Sequence, residues 1–103
     1  MLTLHLPDGT LRVALADQAA SDLLSRLQAL HRSWQQAVPP PRPQLDVVYA
    51  DPVRIEFFCN PNLWPHPSAA QVLVTVRHPQ VQLSAQMPLP QLLADLEAWL
   101  AGA

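Results

Sequence analysis

The chain has no lysine, one cysteine and two glycines among its 103 residues. Each shortage closes off a class of chemistry. The lone cysteine, Cys59, has no partner for a disulfide within the chain. Gly9 and Gly102 are too few and too far apart for a glycine-rich phosphate loop. The patterns GxxxxGK[ST], GxGxxG and GxSxG are accordingly absent. Basic charge comes from six arginines alone, at 12, 26, 32, 42, 54 and 77, scattered along a chain of net charge −2. Nucleic-acid binding needs a basic patch or stripe to neutralise phosphates, so it is not expected.

Long apolar runs are missing too. None approaches the roughly 20 residues that cross a bilayer. Met1-Leu2-Thr3-Leu4-His5 lacks the basic start of a secretory signal and meets Pro7 at once. No membrane insertion is expected, and the default location is the cytoplasm of a prokaryotic cell. His5, His31, His66 and His78 form no HxH or HxxxH pair, and there is no cysteine pair. Structural zinc takes several ligands at tight spacing, so neither a metal nor a cofactor is expected.

What the chain does have is hydrophobicity, in half of its residues, and 12 prolines. Low hydrophobicity with high net charge would mark disorder, and neither holds here. The length suits one domain, residues 1–103.

Leu2, Leu4 and Leu6 alternate with polar residues. Leu11, Val13 and Leu15 alternate with Arg12 and Ala14 beyond Pro7-Asp8-Gly9-Thr10. Alternation of period two on both sides of a turn predicts a β-hairpin, with Gly9 supplying a positive φ. From Asp17 the period lengthens. Ala20, Leu23, Leu24, Leu27, Leu30 and Trp34 recur at three- and four-residue steps, which predicts an amphipathic helix over 17–37 with Asp17 as N-cap. Pro39-Pro40-Pro41-Arg42-Pro43 ends it and predicts a stiff polyproline connector. A PxxP ligand is the sharper alternative for that stretch.

Leu45, Val47 and Tyr49 make a third strand, and Val53, Ile55, Phe57 and Cys59 a fourth, with Asp51-Pro52 between them. After a proline-rich loop, Val72–Arg77 and Val81–Met87 alternate around His78-Pro79-Gln80 and predict a second clear hairpin. Pro88-Leu89-Pro90 opens a last helix with Leu92, Leu93, Leu96, Trp99 and Leu100 on its stripe. The order is ββαββββα. It predicts an α+β two-layer sandwich: a mainly antiparallel sheet of five or six strands with both helices on one face. The other face would carry His5, Arg12, Arg54, Glu56, Phe58, Thr75, Arg77, Gln82 and Ser84.

The richest stretch runs from Val53 to Pro67. Cys59 with His66 is the nucleophile candidate. Cys59, however, alternates onto the apolar side of its strand, where a free cysteine acts as a small hydrophobe. Glu56 has no pocket in view to shift its pKa, and a cross-strand ion pair with Arg77 or Arg12 is its plainer role. Phe58, Leu63 and Trp64 carry more promise. Phe58 points away from Phe57, toward the open face. Trp64 stands among Pro61, Pro65 and Pro67, and a preordered aromatic makes a good interface anchor. Its alternative role is to cap the core edge.

The function expected is therefore a non-catalytic protein–protein interaction or assembly module. Its surface would be the uncovered sheet face and the 60–67 loop, with Arg54, Glu56, Phe58, Leu63, Trp64 and His66. The partner would be another protein or a second copy of the chain. The alternative is a small-molecule binder or minor enzyme with a pocket near Cys59 and His66.

Overall fold

The computed structural model describes residues 1–36, 39, 41–50 and 52–102. β1 (Leu2–Leu6) and β2 (Gly9–Val13) form a hairpin, α1 spans Asp17–Gln35, and β3 (Leu45–Tyr49) pairs with β4 (Arg54–Cys59). Two 3-10 turns, Pro61–Leu63 and Pro67–Ala69, follow. β5 (Gln71–His78), β6 (Val81–Pro88) and α2 (Leu89–Gly102) complete the chain. The class is α+β with antiparallel sheets, and no helix among the described residues is long and apolar enough to cross a membrane.

The strands do not form one sheet. β3-β4-β5-β6 make a four-stranded antiparallel sheet, and β1-β2 stand apart as a two-stranded one. This corrects the expected single sheet of five or six strands. One hydrogen bond ties the edge of the small sheet elsewhere. A two-residue turn, Pro7-Asp8, closes the first hairpin on the pair Leu6↔Gly9. Hydrogen-bonded and non-bonded pairs then alternate, so the N–H of His5 points away from β2. It donates to the Asp95 carboxylate of α2 at 2.8 Å. The outer edge of β1 is thus held by a helix, not by a strand. Among the described residues, one isolated bridge, Leu15↔Pro52, links the end of this region to the segment between β3 and β4.

Consequently His5 and Arg12 lie on the small hairpin, not on the open face of the main sheet. Gly9 starts β2 outside the left-handed region, because it pairs with Leu6 as a strand residue and the central turn positions are Pro7 and Asp8. Asp17 is also not the N-cap. Ala16 holds that place with no side-chain cap, and Asp17 sits in the first turn, where a negative charge favours the helix dipole. The helix end expected at Ala37, the polyproline residue Pro40 and the turn residue Asp51 lie outside the described residues.

The core forms where the alternation puts it. Leu45, Ile55, Phe57, Cys59, Val72, Val74 and Met87 are buried on one face of the main sheet. Against them pack Ala20, Leu23, Leu27 and Leu30 of α1, then Leu89, Leu92 and Leu96 of α2, then Leu2, Leu4 and Val13 of the hairpin. Each large side chain so buried contributes about 1.5–3 kcal/mol relative to exposure. Tyr49 meets Phe57 edge-on, with ring centroids 6.4 Å apart. Helices and hairpin together cover one face of the main sheet. Among the described residues no element covers the other face.

Candidate functional site

The strand registers arrange the uncovered face as a grid. Asp46, Phe58, Leu73 and Gln86 lie side by side in one row across β3 to β6. Val48, Glu56, Thr75 and Ser84 form the next row. Arg54, Arg77 and Gln82 form the third. Phe58 and Leu73 are direct cross-strand neighbours at the centre, 36% and 37% exposed, with Val48 at 44%. β-branched and aromatic residues are the usual occupants of strands, so Val48 and Phe58 suit theirs by type alone. What sets them apart is that they share one wet face.

Charge on this face is balanced. Arg54 and Arg77 face each other across β4 and β5, an arrangement of like charges that costs stability by itself. Glu56 resolves it. Its carboxylate accepts from Arg77 Nε at 2.5 Å and stands 3.9 Å from Arg54. Arg77 also donates to Gln82 Oε1 at 2.6 Å. Thr75 is buried although it lies on this side, its hydroxyl 3.1 Å from that of Ser84. With both arginines partly in water, the pairs contribute little stability each. They line one side of the Phe58–Leu73 pair with paired polar groups.

The 60–67 loop lies at the end of this sheet and is pinned. Asn60 Oδ1 accepts from the Asn62 backbone N–H at 3.0 Å and from the Asn62 side chain at 3.0 Å. The Asn62 amide then clamps the backbone of Arg42, accepting from its N–H at 2.7 Å and donating to its carbonyl at 3.0 Å. Trp34 Nε1 donates to the Trp64 carbonyl at 3.5 Å, and Arg42 sits 5.9 Å over the Trp34 ring. Trp64 itself is half-buried against the core, the capping role. Leu63 is the exposed apolar residue of the loop, at 69%. His66 is exposed and hydrogen-bonds Ser68 Oγ through Nδ1.

Cys59 and His66 are not brought into a reactive arrangement. Cys59 faces the core with no exposed surface, and burial pushes its thiol up to about 11. A nucleophilic cysteine needs an exposed, electropositive setting that does the opposite. A groove of about 280 Å³ lies elsewhere, between α1 and β3, with Arg26, Ala29, Leu30 and Asp46 among its walls. Among the described residues no group of three or more His, Cys, Asp or Glu could hold a metal ion.

Two functional-looking residues escaped the sequence reading. Asp95 is 6% exposed, accepting from the His5 N–H, His5 Nδ1 and Gln91 Nε2, each at 2.8 Å. The signal was present: Asp95 falls at helical spacing from Leu92 and Trp99, a charge on the apolar stripe. Tyr49 is the other. Its hydroxyl donates to Asp22 at 2.6 Å, and burial with this bond raises the phenol above its ordinary range. The same bond, then Arg26, lowers Asp22. Comparison with known protein families, curated proteins and solved structures finds no match to this chain.

Proposed function

We propose that this chain is a non-catalytic interaction module that binds a protein partner on the uncovered face of its main sheet. The observation that carries the reading is the Phe58–Leu73 pair, with Val48 beside it, at the centre of a face no element covers. A contiguous apolar patch with a polar border is the common signature of a partner site. Arg54 and Glu56 belong to that border, held in place by the Glu56–Arg77 pair. Leu63 extends the apolar surface at the loop, on a backbone stiffened by Pro61, Pro65 and the Asn62 clamp. Trp64 and His66 support the loop's shape: the first by packing on the core, the second through Ser68.

The buried, protonated thiol of Cys59 gives the alternative reading, a small-molecule or catalytic site near His66, no observation in its favour. The test immobilises the wild-type chain beside a Phe58→Ser, Leu73→Ser variant and compares the proteins each retains from a lysate of the source cell. Proteins retained by the wild type and lost by a variant with an unchanged circular dichroism spectrum support the reading. Identical retention by both chains defeats it.

A further inference from the structure

A second surface rests on different observations: the free edge of β6. A sheet edge is a row of unpaired N–H and C=O groups, and proteins guard it with charge, proline, bulges, short length or a covering element. The other edges here are guarded. β1 gives the His5 N–H to Asp95. β2 carries Arg12. β3 is five residues long, carries Asp46 and follows Pro43. β6 is eight residues long and has no charged side chain, no bulge against β5 and no proline before Pro88. β1 packs near β6, but among the described residues its one strand partner is β2.

The edge has a definite register. Pro79-Gln80 is a two-residue turn closing on His78↔Val81. Alternation from that bonded pair turns the N–H and C=O of Gln82, Ser84 and Gln86 outward. The same alternation puts Pro88, which has no N–H, at an outward position, as its chemistry requires. Gln82, Ser84 and Gln86 are all exposed.

We propose that this edge pairs antiparallel with β6 of a second copy across a two-fold axis at Ser84. In that register Ser84 meets Ser84 of the second copy, and Gln82 meets its Gln86. Every outward N–H and C=O of the three residues then has a partner. On the covered side Leu83 meets Ala85, large against small, and Val81 meets Met87. No charge opposes a like charge, because the strand has none. Val81 and Leu83, 60% and 40% exposed, gain cover. A two-fold contact must be complementary to itself, and this strand is. The two main sheets become one continuous sheet of eight strands, with both uncovered faces on the same side. Strand addition of this kind draws its affinity from main-chain hydrogen bonds.

The proposal is independent of the reading of the uncovered face, and one experiment separates them. Solution mass is measured by light scattering over a concentration series for the wild type, Ser84→Pro, Ser84→Lys and Phe58→Ser. Proline at 84 removes an outward N–H and leaves the β5 ladder intact. Lysine at 84 sets two like charges face to face at the axis. The expected result is a wild-type dimer whose dissociation constant rises at least about tenfold in Ser84→Lys, with Phe58→Ser still dimeric. Ser84→Pro behaves the same way if it folds, and Ser84→Lys carries the test if it does not. A wild type that stays monomeric overturns the proposal. So does a dimer indifferent to Ser84→Lys, or one dissolved by Phe58→Ser alone.

Discussion

Replacing Asp95 with alanine tests the physical account of the fold most directly. The carboxylate sits at the buried face of α2 and accepts three hydrogen bonds, two from His5 and one from Gln91. They are unequal. The Gln91 donor lies one turn away on the same helix, and the His5 ring is attached to a side chain 57% exposed, so water can replace both losses in part. The His5 backbone N–H is different. It points away from β2, and its helix partner is the only one it has among the described residues. A hydrogen bond to a charged acceptor contributes about 1.5–3 kcal/mol, and stranding a buried donor costs a similar amount. Asp95→Ala is therefore expected to lose about 2–4 kcal/mol of a total near 5–15 kcal/mol. His5→Ala keeps the backbone bond and is expected to lose less than about 1 kcal/mol. Asp95→Asn retains an acceptor and should fall between them. The assay is equilibrium urea unfolding followed by tryptophan fluorescence at one protein concentration. An Asp95→Ala loss no larger than that of His5→Ala would refute the argument that the carboxylate closes the edge of β1.

Other expectations follow from single contacts. Native Cys59 should resist iodoacetamide at neutral pH and react fully in urea; rapid native alkylation would place the thiol outside the core. Its folded pKa is raised from 9.0 to about 11, so the neutral thiol favours the fold below pH 9 and that contribution is lost as pH rises through 11, visible as a falling melting temperature in that window. Tyr49 is the chain's single tyrosine, so its ionisation can be read by ultraviolet absorbance; the midpoint should lie above the ordinary 10.0 and drop toward it in Asp22→Asn. An unchanged midpoint in that variant would remove the Tyr49–Asp22 bond from the account. Asn62→Ala should cost about 1 kcal/mol and expose the Pro41–Pro43 connector to proteolysis, since the amide clamp on Arg42 is lost.

Much of the fold was legible because it depends on local periodicity. The switch from period two to period 3.6 near Asp17 marks the end of the hairpin and the start of α1. The two-residue repeat of a strand sorts the side chains of Val72–Val76 and Ile55–Cys59 onto two faces, and the same sorting predicts where Phe58 and Leu73 stand. The division of six strands into four and two was not legible. It turns on where one N–H of β1 finds its acceptor, and that acceptor is 90 residues away. Alternation says which face a side chain takes but not which strand lies beside it. The loop was legible only in its stiffness. Proline positions show that Pro61–Pro67 is rigid, whereas the choice between Leu63 and Trp64 as the exposed residue depends on Trp34 reaching the Trp64 carbonyl across 30 residues.

The same bond that divides the sheet also explains why β6 is the open edge. In a single sheet of six strands, the N-terminal hairpin would have to extend one end of the main sheet. Its outer strand β1 does pack near β6, so that is the end it would have reached. Asp95 intercepts it. The carboxylate takes the His5 N–H and so holds β1 against α2, while Gln82, Ser84 and Gln86 have no strand partner on their outer side among the described residues. If the β6 edge joins two copies, Asp95 keeps that edge free for the second copy by holding the chain's own hairpin away from it. Asp95→Ala would then act twice. It would destabilise the monomer, and it would release β1 to compete for β6. Dimerisation should weaken in Asp95→Ala at temperatures where the chain is still folded, although no residue of the interface has changed. A fully folded Asp95→Ala chain with wild-type dimer affinity would separate the two roles and leave Asp95 as a structural residue alone.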